Sequence, residues 1–242
     1  PGLVRFFSDS GWYPRAGLFG LMPMIAASVF AMVGSVLIAA PIGILVGIFC
    51  HFYAPKPLAG LARSILGLLA GIPSVVYGFW GLVVLVPKIG AWSPPGPSLL
   101  AAIATLAIMI LPTVALMADA SLSNVPKPYL EGAAALGLSR WSTIWSVVLP
   151  SVKSGLFTGV ILQVGRALGE TMAVLMVAGN VVQNPDTVFA PIRTLTSNIA
   201  LEMAYAMNDH RSALFVSGLV LLLVVLFLVL ISDLIRERYT HV

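Results

Sequence analysis

Residues 213–232 read ALFVSGLVLLLVVLFLVLIS, a stretch without one charged side chain, stopped by Asp233 and then by Arg236 and Arg238. A helix needs about 20 consecutive apolar residues to cross a hydrocarbon core. Working back from this segment, four more stretches of that length stand out. The first covers about Met24 to Phe52, inside a run with no charge between Arg15 and Lys56, and contains Pro41. A second runs from about Ser64 to Val86 and is broken at Gly71-Ile72-Pro73-Ser74. The third spans about Ser98 to Met117, with Pro112 near its far end. The fourth, about Gly155 to Ala178, differs from the rest because Arg166 and Glu170 sit in its middle. Long continuous apolar segments exclude a transmembrane barrel, whose strands are short and alternating. The fold class expected is all-α: a polytopic transmembrane helical bundle forming one domain over residues 1–242.

Composition agrees. Hydrophobic residues make up 59% of the 242 and charged residues 9%, with a mean hydropathy of +1.02. A soluble domain carries charges on about a quarter of its chain. The single cysteine, Cys50, permits no internal disulfide, and with His51 it falls short of the three or four ligands a metal site needs. The net charge of +4 is diffuse, without the basic runs of a nucleic-acid binder. Lys56, Arg63, Lys127, Arg140, Lys153, Arg236 and Arg238 fall on one side of the spans, and Arg5, Arg15, Lys88, Arg193 and Arg211 on the other. By the positive-inside rule this places the start of the chain outside and its C-terminus inside. Five spans and an external start lead to the expectation of one further helix upstream of Pro1.

Two long loops separate the later spans. Residues 119–153 fall inside, and are helical in pattern and mixed in charge. Residues 180–212 fall outside; there Ile192, Leu195, Ile199 and Met203 recur at three- and four-residue steps, which predicts a short amphipathic helix on the outer face. Asp119 and Asp233, at span ends, read as solvated interface residues. In the inner loop, Glu131-Gly132-Ala133-Ala134-Ala135-Leu136-Gly137 predicts a helix of small residues and a glycine turn. A second helix follows from near Ser139, closing at Leu149-Pro150. Small side chains let another protein approach the first helix closely, although a plain connecting hairpin has the same composition.

This stretch resembles the EAA loop of ABC importer permeases: E-A-A, three residues, G, nine residues, I, one residue, L-P. Glu131, Ala133, Gly137, Leu149 and Pro150 fall at that spacing, with Gly132 in place of the first alanine and Val147 in place of the isoleucine. The resemblance implies a type I ABC importer permease, whose loop docks on a cytoplasmic ATPase dimer. The chain has no G-x-x-x-x-G-K-[ST] phosphate loop; its one Lys-Ser pair, Lys153-Ser154, follows Val152. It is therefore expected to be no enzyme and to hold no cofactor, with ATP bound by the partner.

Arg166 and Glu170 are four residues apart, and Gln163 lies one turn before Arg166, so a continuous helix would set them on one face and let the two charges pair. A charge at bilayer depth costs at least about 2.5 kcal/mol, and such groups by default face an aqueous path or a partner. The pair is either a helix lock or part of a path. In a path, Arg166 offers the planar fork that suits a tetrahedral oxyanion. Residue types alone do not separate phosphate from sulfate.

The surrounding sequence resembles the phosphate-specific ABC permeases in three stretches: Gly165 to Val174 with Ala178-Gly179-Asn180, Ala70 to Gly78, and Thr194 to Met203. The continuations Met172-Ala173-Val174 and Phe79-Trp80-Gly81 look more like the PstC-type than the PstA-type subunit. The resemblance implies a substrate pathway containing Arg166, Glu170, Gln163, Thr171, Ser74 and Tyr77, although Ser74 has a plainer role open to it in satisfying backbone freed by Pro73. It also implies a multi-pass subunit of the bacterial inner membrane, working with a PstA-type permease, the ATPase dimer and an external phosphate-binding protein. A permease for sulfate or molybdate, and an ion-coupled carrier with Arg166 and Glu170 as a relay, are the competing readings.

Overall fold

The computed structural model describes residues 5–9 and 11–240. A single helical turn, Arg5–Ser8, precedes a two-stranded antiparallel ribbon, β1 (Trp12–Tyr13) and β2 (Leu18–Phe19). The helices that follow are α1 (Met22–Tyr53), α2 (Lys56–Gly71), α3 (Ser74–Trp92), α4 (Leu99–Ser123), α5 (Lys127–Ala135), α6 (Arg140–Gly169), α7 (Met172–Val177), α8 (Leu195–Glu202) and α9 (Asn208–Thr240). Among the described residues, five helices are long and apolar enough to cross a membrane: α1, α3, α4, α6 and α9. The five expected spans are therefore present, with different limits. Pro1 and Val242, on which the terminal orientation was read, lie outside the described residues, as do the side chains of Asp233, Arg236 and Arg238.

The core forms where α1 runs alongside α4 in the same direction. A Cβ on Gly34, Gly43 or Gly47 would meet Ile103, Val114 or Ala118 at 2.6–2.8 Å, so the two backbones approach as closely as glycine allows. Ala27, Ala31, Ala39, Ala101, Ala102 and Ala107 extend the same buried seam. Apolar chains gain little from leaving lipid, so close contact of small residues is what holds such helices together.

Two spans are interrupted. The expected break at 71–74 is there: α2 ends at Gly71, Ile72 is extended (φ −65°, ψ 130°), and α3 restarts at Ser74. Pro73 disfavours the helical conformation at the residue before it. The Tyr77 hydroxyl donates to the freed Leu69 carbonyl at 2.8 Å, filling the plainer backbone role that was open to Ser74. The second break lies in the fourth span. α6 stops at Gly169, Glu170 is extended (φ −69°, ψ 128°), and α7 restarts at Met172.

Prolines shape the helices in a second way. Phe49–Tyr53, Gly81–Leu85 and Ile144–Val148 are π-helical turns, closed by bonds from Ala54 to Phe49, Val86 to Gly81 and Leu149 to Ile144. Each is followed at its second residue by a proline: Pro55, Pro87 and Pro150. A proline ring clashes with the carbonyl four residues back and has no N–H to give it. Widening that turn to five residues removes the conflict. The consequence at Pro150 corrects an expectation. The second loop helix does not close at Leu149-Pro150, but continues without interruption from Arg140 into the membrane span.

The close α1–α4 contact predicts that Gly47→Leu, which must displace the Ala118 methyl and the Asp119 backbone, destabilises the protein by about 1–3 kcal/mol. Gly60→Leu, where a side chain meets open space, serves as the control. Thermal unfolding of the purified protein in detergent should separate the two; equal stability would mean that α1 and α4 do not pack as described.

Candidate functional site

The helices that restart after the two breaks, α3 and α7, pack against each other. A Cβ on Gly78 of α3 would meet the Ala173 backbone of α7 at 2.7 Å, and one on Gly81 would meet Thr105 and Val177. The two breaks therefore lie at the starts of two helices that run side by side, Gly78 against Ala173 and Gly81 against Val177. Non-helical backbone at membrane depth is tolerated where it is buried in protein or lines a water-filled cavity. Arg166 sits one turn before the second break, half-buried, with Nη1 3.4 Å from the Thr113 hydroxyl of α4. Thr113 lies close to the midpoint of α4. The guanidinium is also within electrostatic range of the Tyr77 phenol. The structure thus gathers Arg166, Tyr77 and Thr113 from three spans, and brings Ser74 and Thr171 to the two breaks.

The expected Arg166–Glu170 pair does not form. Pairing at four residues needs a continuous helix, and α6 ends between the two. Instead the Glu170 carboxylate accepts from the Ala173 N–H at 3.1 Å, satisfying a free donor in the first turn of α7. The Glu170 carbonyl accepts from the Thr196 hydroxyl of α8 at 2.9 Å. Arg166 forms no ion pair with any carboxylate among the described residues. Gln163 is buried against Met117 of α4, and its Oε1 accepts no hydrogen bond among the described residues. Thr171 donates to the Gly169 carbonyl at 3.3 Å, which ties the second break together.

Beyond the breaks, α8 also departs from expectation. It does not lie on the outer surface: Leu195, Thr196, Ser197, Asn198 and Glu202 are all buried. Thr194 caps its N-terminus, and the Leu195 N–H donates to Ser28 of α1 at 3.0 Å. Glu202 closes its far end, accepting from Arg193 Nη1 at 2.7 Å and Trp12 Nε1 at 2.7 Å and facing His210 Nε2 at 2.8 Å. The apolar spacing of Ile192, Leu195, Ile199 and Met203 was real, but the polar residues between them are buried too, so the spacing did not mark a membrane surface.

At the inner end, the loop turns at Gly137 with φ +68°, a left-handed conformation that favours glycine, and Gly137 and Leu138 donate to Ala134 and Ala133. A Cβ there would meet nothing, so backbone conformation and not crowding within the chain sets the requirement. Ala133 is buried, whereas Glu131 and Pro150 are exposed and Leu149 is half-buried. Tyr129, Leu136, Trp141 and Trp145 present an exposed apolar surface, with the two indoles 5.4 Å apart. Nearby, Asp119 is not a lone solvated carboxylate. It accepts two bonds from Arg63 at 2.7 and 3.0 Å, with His51 Nδ1 at 3.5 Å, so it joins α1, α2 and α4. The same hydrogen bond holds the Arg63 guanidinium above its ordinary pKa. This clasp was missed because its members lie far apart in sequence.

These features, a bundle of spans with two mid-depth interruptions and a glycine-turned inner loop, are those of a membrane permease. A family model described as the binding-protein-dependent transport system inner membrane component matches residues 39–241. The chain belongs to this family. Among curated relatives, the probable ABC transporter permease protein YqgH of Bacillus subtilis is 40% identical, covering 97% of this chain and 78% of that one. The phosphate transport system permease protein PstC of Xylella fastidiosa is 34% identical, covering 98% and 80%. That of Mesorhizobium japonicum is 35% identical, covering 97% and 77%. Among solved structures, the inward-facing MetNI methionine ABC transporter aligns with TM-score 0.68 at 19% identity, covering 91% of this chain and 94% of that one. A bacterial alginate ABC transporter in complex with a periplasmic protein aligns at 0.69 and 17%, covering 98% and 82%. Both share the fold.

Because Glu170 caps α7 and does not meet Arg166, the stability effects of the two side chains should be independent. Glu170→Gln keeps an acceptor for the Ala173 N–H and loses the negative charge at the start of α7, so it should cost about 0.3–1 kcal/mol. The double variant Arg166→Gln with Glu170→Gln should equal the sum of the single ones within about 0.5 kcal/mol. Thermal unfolding of all three variants measures this; a double variant markedly more stable than the sum would restore the buried pair.

Proposed function

We propose that this chain is one of two permease subunits of an ATP-driven phosphate importer, lining the translocation path with a second, PstA-type chain. An external phosphate-binding protein delivers the substrate, and a cytoplasmic ATPase dimer seated on the inner loop supplies the energy. The chain itself performs no chemistry and holds no cofactor. The observation that carries this reading is Arg166: a guanidinium within a span, one turn before a helix break, with a hydroxyl and, among the described residues, no carboxylate as its partner. Its charge is left for an anion. The phosphate transport names of the relatives at 34–35% identity support the choice of phosphate among oxyanions.

In this reading Arg166 binds the oxyanion through its planar fork. Thr113 holds one end of the guanidinium, and Tyr77, Ser74 and Thr171 border the same space from the two breaks. Gln163 supports Arg166 from the adjoining turn. Glu170 acts at one remove, by fixing the start of α7. At the inner end the exposed Trp141–Trp145 pair and the small residues of α5 form the docking face for the ATPase, and the rigid α6 carries its movement towards Arg166.

Two measurements test this. Arg166→Lys keeps the charge and loses the fork, so uptake of labelled phosphate, normalised to protein in the membrane, should fall by about tenfold or more; wild-type uptake would remove Arg166 from the path. Gly137→Asp should abolish uptake while leaving the protein inserted, because the left-handed turn resists a side chain and the docking face is altered. Normal transport by this variant would contradict the docking role.

A further inference from the structure

The outer end of the chain carries a built cleft that the transport path does not use. It has a volume of about 570 Å³ and lies among the ribbon, the end of α8 and the start of α9. Its rim is formed by Tyr13, Arg15, Tyr205 and Met207, all exposed. Its floor is the buried Glu202 carboxylate, fixed by Trp12, Arg193 and His210. The rings of Trp12 and Tyr205 flank His210, each with its centroid 6.0 Å away. Asn208 holds a left-handed conformation (φ +47°) next to Met207.

We infer that this cleft is a docking site for a loop of the external substrate-binding protein, and that the loop presents acidic and apolar side chains. The inference rests on the family's dependence on such a protein and deepens the reading above. Three observations support it. First, the cleft is at the outer end: its ribbon leads into the start of α1 and its His210 lies in the first turn of α9, whereas the glycine-turned loop lies where α4 ends and α6 begins. Second, exposed tyrosine, methionine and arginine around a fixed floor is the composition of an interface centre. A lipid-facing surface would lack the charges of Arg15, Asp209 and Arg211, and among the described residues that line the cleft Arg15 carries the one exposed charge. An acidic partner is the complement. Third, α8 runs from this floor to the path: Glu202 lies at its far end, and Thr196 on the same helix bonds the Glu170 carbonyl. A loop seated in the cleft is thus one eight-residue helix away from the break beside Arg166.

The test uses the complete transporter, with both permeases and the ATPase, in lipid nanodiscs, with phosphate-binding and sulfate-binding proteins as separate probes. Arg15→Glu and Tyr205→Ala should each raise the binding-protein concentration for half-maximal ATPase stimulation, by about tenfold for the charge reversal, and leave basal hydrolysis unchanged. Arg15→Lys should restore a near-normal response. A photo-crosslinking residue in place of Met207 should capture the binding protein, while one in place of Leu219 on the span should not. Stimulation unaltered by both variants, or capture of the second permease at position 207, overturns the docking site. Stimulation of the wild type by the sulfate-binding protein alone would refute phosphate as the cargo, and the crosslink to that protein would still decide the docking site.

Discussion

A guanidinium at membrane depth is costly, at least about 2.5 kcal/mol on the lenient scale, and the neighbouring carboxylate that could offset this one is turned away from it. Glu170 lies beyond the end of α6, bound to the N–H of Ala173. The hydrogen-bond partner of Arg166 among the described residues is instead the Thr113 hydroxyl, and the break after Gly169 lies one turn beyond Arg166. Each interruption leaves peptide groups short of partners. They are satisfied by side chains: Tyr77 for Leu69, Glu170 for Ala173, Thr196 for Glu170. The breaks, the polar face of α8 and the placement of Arg166 are one arrangement, and it suits a path for an anion.

The rest of the molecule gives this region a rigid frame. Glycines and alanines lock α1 to α4. The Arg63–Asp119–His51 clasp ties the inner ends of α1, α2 and α4. The π-turn at Ile144–Val148 lets the loop helix continue through Pro150 into the span that carries Arg166. A push on the loop is therefore delivered along a single helix, where two helices joined by a hinge would absorb it.

The five spans were legible because lipid leaves a plain signature, long runs without charge, and the glycine turn of the inner loop was legible from Gly137 alone. The break at Ile72-Pro73 was readable too, since proline restricts its predecessor. The break at Glu170 was not. Gly169-Glu170-Thr171 contains no proline, and the choice between a continuous helix and a capped restart was made by Ala173 and Thr196, the second of them 26 residues from Glu170. Long-range partners likewise hid the burial of α8, the Asp119 clasp and the Glu202 network, where Trp12 and Glu202 are 190 residues apart. The π-turns did leave a signal, a proline two residues beyond each, but an isolated proline in an apolar run reads as a kink.

The central claim is that Arg166 meets the transported anion and not Glu170. A cryo-electron-microscopy structure of the assembled transporter, trapped with phosphate during ATP turnover, tests it most directly. The account predicts oxyanion density within hydrogen-bonding reach of the Arg166 guanidinium, about 2.7–3.2 Å, between the two helix breaks, with Glu170 still capping α7. A guanidinium closed onto the Glu170 carboxylate, with phosphate passing elsewhere, would contradict it.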